Sequence, residues 1–240
     1  MKYMGSKARI ASDILKIILK ERKQNQWFID LFCGGCNLID KIDGKRIAND
    51  KNVFLIDMWK GLQQGKQYPK IISRKLYNDV RNEYKEKSIY SSKYSSDFIG
   101  WIGWMASYNG RFFDGGYSGH SVGTTERDYI SEQIKNTMKQ VDLLKNVKFF
   151  SKDFSEFNFI EPCLIYCDIP YKDTKQYLTS KKFDHDKFWQ WCRDIKQKGH
   201  TIFISEYQAP SDFKCVWEKE ITNSMNTTKT YRPVEKLFTI

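Results

Sequence analysis

The run Leu164-Ile165-Tyr166-Cys167-Asp168-Ile169-Pro170-Tyr171 constrains this chain most. Four residues of strand-forming type stop at an acid, and Pro170 cannot extend a central ladder. The segment therefore reads as a buried strand that delivers Asp168 to the carboxyl edge of a sheet, where open α/β folds bind their ligands. An Asp at a strand end also serves as an ordinary cap, so the assignment depends on the rest of the chain.

A second apolar run, Trp27 to Phe32, leads directly into Cys33-Gly34-Gly35-Cys36-Asn37. A strand followed at once by a glycine turn lets a ligand approach the backbone, but the spacing is not G-x-G-x-x-G and implies no dinucleotide. Arg46 to Asn49 reads as another strand, ending at Asp50, where an acid reaches ribose hydroxyls or caps the next helix. At the amino end, Lys2-Tyr3-Met4-Gly5-Ser6-Lys7 precedes a helical pattern of Ile10, Ile14, Ile17 and Ile18, with Ser6 as its cap. The Gly-Ser-Lys start could hold an anionic group.

Strands are expected near Ile29, Ile47, Phe149, Ile165, Phe203, Glu218 and Phe238, alternating with helices in the first and middle parts, which specifies an α/β fold. Val216 to Ile221 and Lys236 to Ile240 suggest a closing hairpin, joined by a mobile polar link, Thr222 to Lys229. Asp184 caps a helix with Phe188, Trp191, Cys192 and Ile195 inside and Gly199 at its end. Ile130, Ile134, Met138 and Val141 mark another amphipathic helix.

The net charge of +11, from 40 Lys and Arg against 29 Asp and Glu, favours a polyanionic partner. From Lys60 to Lys93 there are nine basic and three acidic residues. No apolar run suits a membrane span and the amino terminus lacks a signal-peptide core, so a cytoplasmic protein without membrane contact is expected. Cys33-x-x-Cys36 with Cys163 and Cys167 invites a zinc reading, but packing as small apolar residues is simpler. His120, His185 and His200 lack ligand spacing, and no metal is expected; His185 reads as part of a helix start.

Asp168 to Tyr171 resembles the Asp-Pro-Pro-Tyr box of adenine amino-methyltransferases, with Ile169 in place of the first proline. Together with Lys2 to Lys7, Phe32 to Asn37, Asp50 and Asp153-Phe154, in that order, the chain resembles the Dam-type (D12 class, alpha group) DNA adenine N6-methyltransferases, most of all their small bacteriophage members. The likeness runs to Val234-Glu235-Lys236-Leu237-Phe238. It implies a Rossmann-like S-adenosylmethionine-dependent fold: a seven-stranded, mostly parallel sheet with a reversed C-terminal strand, plus an inserted, mainly helical lobe. The catalytic domain would be 1–56 with 141–240, and 57–140 the DNA-recognition lobe.

By the same resemblance, Tyr3 and Lys7 border S-adenosylmethionine, Phe32, Gly34 and Gly35 its methionine portion, Asp50 its ribose, and Asp153 with Phe154 its adenine end; S-adenosylhomocysteine is the product. Asp168, Ile169, Pro170 and Tyr171 form the catalytic box: the Asp168 carboxylate and the Ile169 carbonyl accept the two N6–H groups of a flipped adenine on which Tyr171 stacks. Asp168 also belongs to the cofactor set. Tyr108, Asn109 and Arg111 resemble the loop that enters double-stranded DNA beside the target, although a glycine turn with aromatics packed inward explains the same residues.

Cys36 and Ile169 depart from the family's glycine and proline. A DNA-binding protein of the same fold with lost or reduced turnover is therefore an alternative, as is an N-methyltransferase of RNA or protein glutamine. The setting would be a bacterial or phage-infected cytoplasm, with room for a cognate restriction endonuclease.

Overall fold

The computed structural model describes residues 1–87, 92–121, 126–159, 161–172, 183–221 and 233–240. Thr222 to Lys229 lies outside these residues. Nine strands and six α-helices occur among them: β1 (Phe28–Asp30), β2 (Arg46–Asn49), β3 (His120–Ser121), β4 (Arg127–Asp128), β5 (Val147–Phe150), β6 (Leu164–Asp168), β7 (Thr201–Glu206), β8 (Lys214–Glu220) and β9 (Val234–Thr239), with α1 (Ala11–Ile18), α2 (Val53–Gln63), α3 (Arg74–Glu86), α4 (Ser96–Ala106), α5 (Tyr129–Val141) and α6 (His185–Gln197).

Seven strands form one sheet in the order β5-β2-β1-β6-β7-β9-β8. The first five are parallel neighbours, and β9 runs antiparallel to both β7 and β8, which is the expected mostly parallel α/β sheet with one reversed strand. β1 and β6 are buried along their lengths because helices cover both faces, which is why they read as continuous apolar runs. β3 and β4 form a separate two-residue ribbon.

Helix limits follow local chemistry. Asn52, Ser73, Asp128 and Asp184 each accept a backbone N–H in the first turn of α2, α3, α5 and α6. Ser6 caps a short 3-10 turn, Lys7–Arg9, rather than α1 itself. Two expected faces are corrected. In α5, Met138 is exposed, and the inward positions include Gln133 and Gln140 as well as Ile130 and Ile134. The two glutamines earn burial by bonding the amino-terminal segment, through Lys2 and Met1. In α6, Trp189 is more deeply buried than Trp191.

Residues 57–140 begin inside α2 and end inside α5. Their apolar residues do not form a core of their own: Trp59, Tyr77, Val80, Trp101 and Trp104 join one cluster with Ile14, Phe28 and Tyr166. Trp59 stacks on Phe149 of β5, so α2 is a sheet-covering helix. Ile71, just before α3, is 90% exposed. Among the described residues no helix is long and apolar enough to cross a membrane.

Candidate active site

Asp30, Asp50 and Asp168 stand at the carboxyl ends of β1, β2 and β6, three adjacent parallel strands. The chain leaves β1 toward β2 and later returns on the other side as β6, so the crevice between β1 and β6 is a topological switch point.

The loop after β1 is tightly wound, with Gly34 at φ +46° and Cys36 at φ +56°, a left-handed conformation that costs a side-chain-bearing residue about 1–2 kcal/mol. Asp50 ties it to β2: its Oδ2 accepts the Gly34 N–H at 3.1 Å and its Oδ1 the Asn52 N–H at 2.8 Å. Tyr3 lies over the loop. A Cβ on Gly34 would approach its ring to 2.7 Å, and one on Gly35 would come within 2.8 Å of its Cβ, so both glycines are required for the amino terminus to sit there. Burial pushes Asp50 up to about 6, opposed by its two N–H donors. The sequence reading passed over Asp30. It is buried, its Oδ1 has no hydrogen-bond partner among the described residues, and burial, with Asp168 and Asp50 nearby, holds its carboxyl well above the usual range.

Asp168 is met by Lys7, whose Nζ lies 2.9 Å from its Oδ1. The same ammonium lies 3.7 Å from Glu235 Oε2 on β9 and 4.6 Å from the Tyr171 ring centroid. Tyr171 donates its hydroxyl to Glu235 at 2.6 Å and meets Tyr207 edge to face. Burial pushes Asp168 up to about 6; Lys7 pulls it down and Glu235 pushes it up. Lys7 is held above its ordinary value by Asp168 and Glu235, which outweigh its own burial.

The Ile169 side chain fills the apolar cluster between the sheet and α6, leaving its backbone to the rim. Pro170 is fixed through its carbonyl, which accepts a ring N–H of His185 at 2.9 Å. His185 does begin α6, as expected, and also braces the box. Glu206, at the end of β7, accepts backbone N–H groups of Lys172 and Tyr207, and burial pushes it up to about 7.

Phe32 and Phe154 meet in an aromatic group with Phe183 and Phe188, while Asp153 caps the turn after β5 and pairs with Lys51 at 2.9 Å. Asp153, Phe154, Phe32 and Asp50 thus follow the ends of β5, β1 and β2, while Tyr3 covers the Gly34-Gly35 loop and Lys7 meets Asp168 at the end of β6. On the lobe side, Tyr108 is half exposed and Asn109 takes φ +53°. Gly110 abuts Lys2, since a Cβ there would run into the Lys2 carbonyl. Arg111 follows at the turn's end. Phe112 and Phe113 pack inward on Trp104, Tyr84 and Tyr77. The inward packing therefore holds for these two rings, and Tyr108 is the exposed aromatic.

Glu235 and Glu206 were also missed. The available signal was register: in Val234-Glu235-Lys236-Leu237, Glu235 shares the inward side with Leu237, where an acid needs a buried partner. The five apolar-site cysteines, Cys33, Cys36, Cys163, Cys167 and Cys192, are free and buried.

The donor set is compatible with S-adenosylmethionine: Asp30 carries a buried oxygen without a hydrogen-bond partner among the described residues, and Asp50 stands at the end of β2, beside the crevice where open α/β sheets bind their ligands. Residues 3–235 match the family model described as D12 class N6 adenine-specific DNA methyltransferase. No curated protein sequence matches the chain.

Proposed function

This chain belongs to the D12 class of N6 adenine-specific DNA methyltransferases and transfers a methyl group from S-adenosylmethionine to adenine N6 in DNA; from that premise we propose which of its residues do so. Bound S-adenosylmethionine supplies a methyl group made electrophilic by its sulfonium. Tyr3, Phe32, Gly34, Gly35, Asp50, Asp153 and Phe154 hold it, with Asp30 added on the strength of its unpaired oxygen.

Adenine N6 is a poor nucleophile because its lone pair is delocalised into the ring. The Asp168 carboxylate and the Ile169 carbonyl each accept one N6–H, favouring a pyramidal nitrogen and stabilising the positive charge that develops there. Only the backbone of residue 169 is used, so isoleucine serves in place of proline. His185 on the Pro170 carbonyl supplies part of the rigidity that a second proline would give. The base leaves the duplex at a cost of a few kcal/mol, offset in part by about 1–3 kcal/mol of stacking on Tyr171. Lys7 shields that ring in the free protein, so it shifts when the base enters.

Residues 57–140 act as the DNA-facing lobe, with Tyr108, Asn109 and Arg111 beside the target; the motif order, most like that of bacteriophage members, supports a protein working in the cytoplasm of a bacterial or phage-infected cell, with or without a restriction endonuclease partner. The observation that carries the reading is Asp168, more open than its partners Lys7 and Glu235, at the end of β6 on the switch-point crevice.

The test is incorporation of labelled methyl from S-adenosylmethionine into unmethylated genomic DNA, followed by nucleoside analysis, for the natural protein and Asp168→Ala. Label in N6-methyladenine that falls by about 100- to 1,000-fold in the variant, with cofactor affinity kept, is expected. Near-normal turnover without the carboxylate would overturn the assignment of Asp168.

A further inference from the structure

We propose that Glu235 is a positioning residue that acts through Lys7: it is the counter-charge that leaves Asp168 a net negative acceptor for the target amino group. The inference rests on the reading of Asp168 above and adds a function to a residue on the last strand.

The argument is one of buried charge. Lys7 and Asp168 alone would form a neutral pair, and an ammonium 2.9 Å from the carboxylate would cancel most of the field that Asp168 exerts on a developing cation. Glu235, 3.7 Å from the same ammonium, restores a net charge of minus one to the trio. The side chains of Lys7 and Glu235 are only 9% and 7% exposed, whereas that of Asp168 is 21% exposed. Glu235 and Lys7 are thus less exposed than the carboxylate they accompany, and Glu235, the least exposed of the three, acts on the site through Lys7. Its own negative charge is supported by the Tyr171 hydroxyl at 2.6 Å.

The two carboxylates also give Lys7 somewhere to go. When N6–H groups take the oxygen that Lys7 now occupies, its ammonium closes on Glu235 without leaving the buried site or becoming an unpaired buried cation. The other titratable groups facing the trio, Tyr207, Tyr166, Asp30 and Glu206, offer Lys7 no such second counter-charge at ion-pair distance. Glu206 is committed to the Lys172 and Tyr207 backbone N–H groups.

The experiment measures single-turnover methyl transfer to a duplex substrate, its pH profile, and S-adenosylmethionine affinity by calorimetry, for the natural protein, Glu235→Gln, Lys7→Met, the double variant and Asp168→Asn. Gln keeps an acceptor for Tyr171 but removes the charge. The expected result is a rate lower by about tenfold or more in Glu235→Gln, with cofactor affinity within about twofold. In the double variant, whose trio again sums to minus one, the rate recovers above that of Glu235→Gln. Lys7→Met alone, which removes the cation beside Asp168, moves the acidic limb of the pH–rate profile to higher pH, and this arm stands even if Glu235→Gln fails to fold. A natural rate in Glu235→Gln, a double variant no faster than Glu235→Gln, or an unmoved acidic limb in Lys7→Met would each overturn the proposal. Asp168→Asn separates the two readings: if it too keeps the natural rate, the acceptor assignment falls, and if it alone is slow, only the function of Glu235 falls.

Discussion

The Asp50 carboxylate holds Gly34 by its backbone N–H at 3.1 Å, so the acid expected to reach the ribose also fixes the loop expected to face the methionine portion. On the proposed reading, one side chain serves both halves of the cofactor. Asp50→Ala would leave the N–H groups of Gly34 and Asn52 without that acceptor, each costing about 1–3 kcal/mol where water cannot reach. S-adenosylmethionine affinity should fall by about tenfold or more, read by calorimetry. DNA binding without cofactor should stay near the natural value. Equal losses for both ligands would mean that the substitution acts through general unfolding.

The pH dependence of stability should be unusual. Asp50 and Asp168 are pushed up to about 6 and Glu206 to about 7, in each case chiefly by burial. A carboxyl whose pKa is raised on folding stabilises the fold below its unfolded value, near 4, and loses that contribution as pH rises through the folded value. These groups therefore make the free protein more stable at pH 5 than at pH 7.5, by roughly 1–3 kcal/mol after allowing for mutual coupling. Below about pH 4 the trend reverses, because Asp97, Asp153 and other paired acids are held below their ordinary values and lose their partners on protonation. Chemical denaturation across pH 4–8 without cofactor checks this, and a midpoint that rises steadily toward pH 8 would refute it. Methyl transfer is expected to move the other way, since Asp168, as the proposed N6–H acceptor, is a stronger acceptor and stabilises developing positive charge when ionised.

Cys36 occupies a backbone conformation that favours glycine, at φ +56°, with its side chain fully buried. Cys36→Gly should relieve about 1 kcal/mol of backbone strain and lose a similar amount of burial, leaving stability nearly unchanged. Cys36→Ala keeps the strain and loses the sulfur, so it should destabilise by about 1 kcal/mol, and Cys36→Val, β-branched at positive φ, by more. Thermal midpoints should therefore rank natural and Gly above Ala, and Ala above Val. A valine variant as stable as the natural protein would show that the loop does not hold this conformation.

Much of the sheet was legible because its strands are short apolar runs that stop at polar residues. Leu164 to Cys167 and Thr201 to Ser205 announce themselves locally, and the box at Asp168 is contiguous. The partners of that box were not legible in the same way. Lys7 is separated from it by some 160 residues and Glu235 by more than 60; the pairing of β6 with β7 and β7 with β9 brings Glu235 there, and the 3-10 turn before α1 brings Lys7. The polar inner face of α5 escaped for a similar reason: Gln133 and Gln140 look like surface residues until the amino terminus is laid against them. Ile71 is the opposite case: an apolar residue close in sequence to the buried Tyr77 and Val80, it is 90% exposed because it lies outside α3, in the segment before it.

The lobe offers a separation between contact and packing at neighbouring residues. Tyr108 is 51% exposed, and its ring closes no core, so Tyr108→Ala should change stability by less than about 0.5 kcal/mol. If its ring takes the space of the extruded adenine, the same change should lower kcat/KM for DNA by about tenfold or more while leaving cofactor affinity intact. Phe112 lies against Trp104 at a centroid distance of 4.7 Å and against Tyr84 at 5.0 Å, so Phe112→Ala should cost about 3–5 kcal/mol of stability. The pair is decisive because the two residues are four apart on one turn. A DNA-specific loss in Tyr108→Ala beside a stability loss in Phe112→Ala assigns the exposed ring to the duplex; a Tyr108→Ala protein with natural DNA kinetics would remove this turn from the DNA interface.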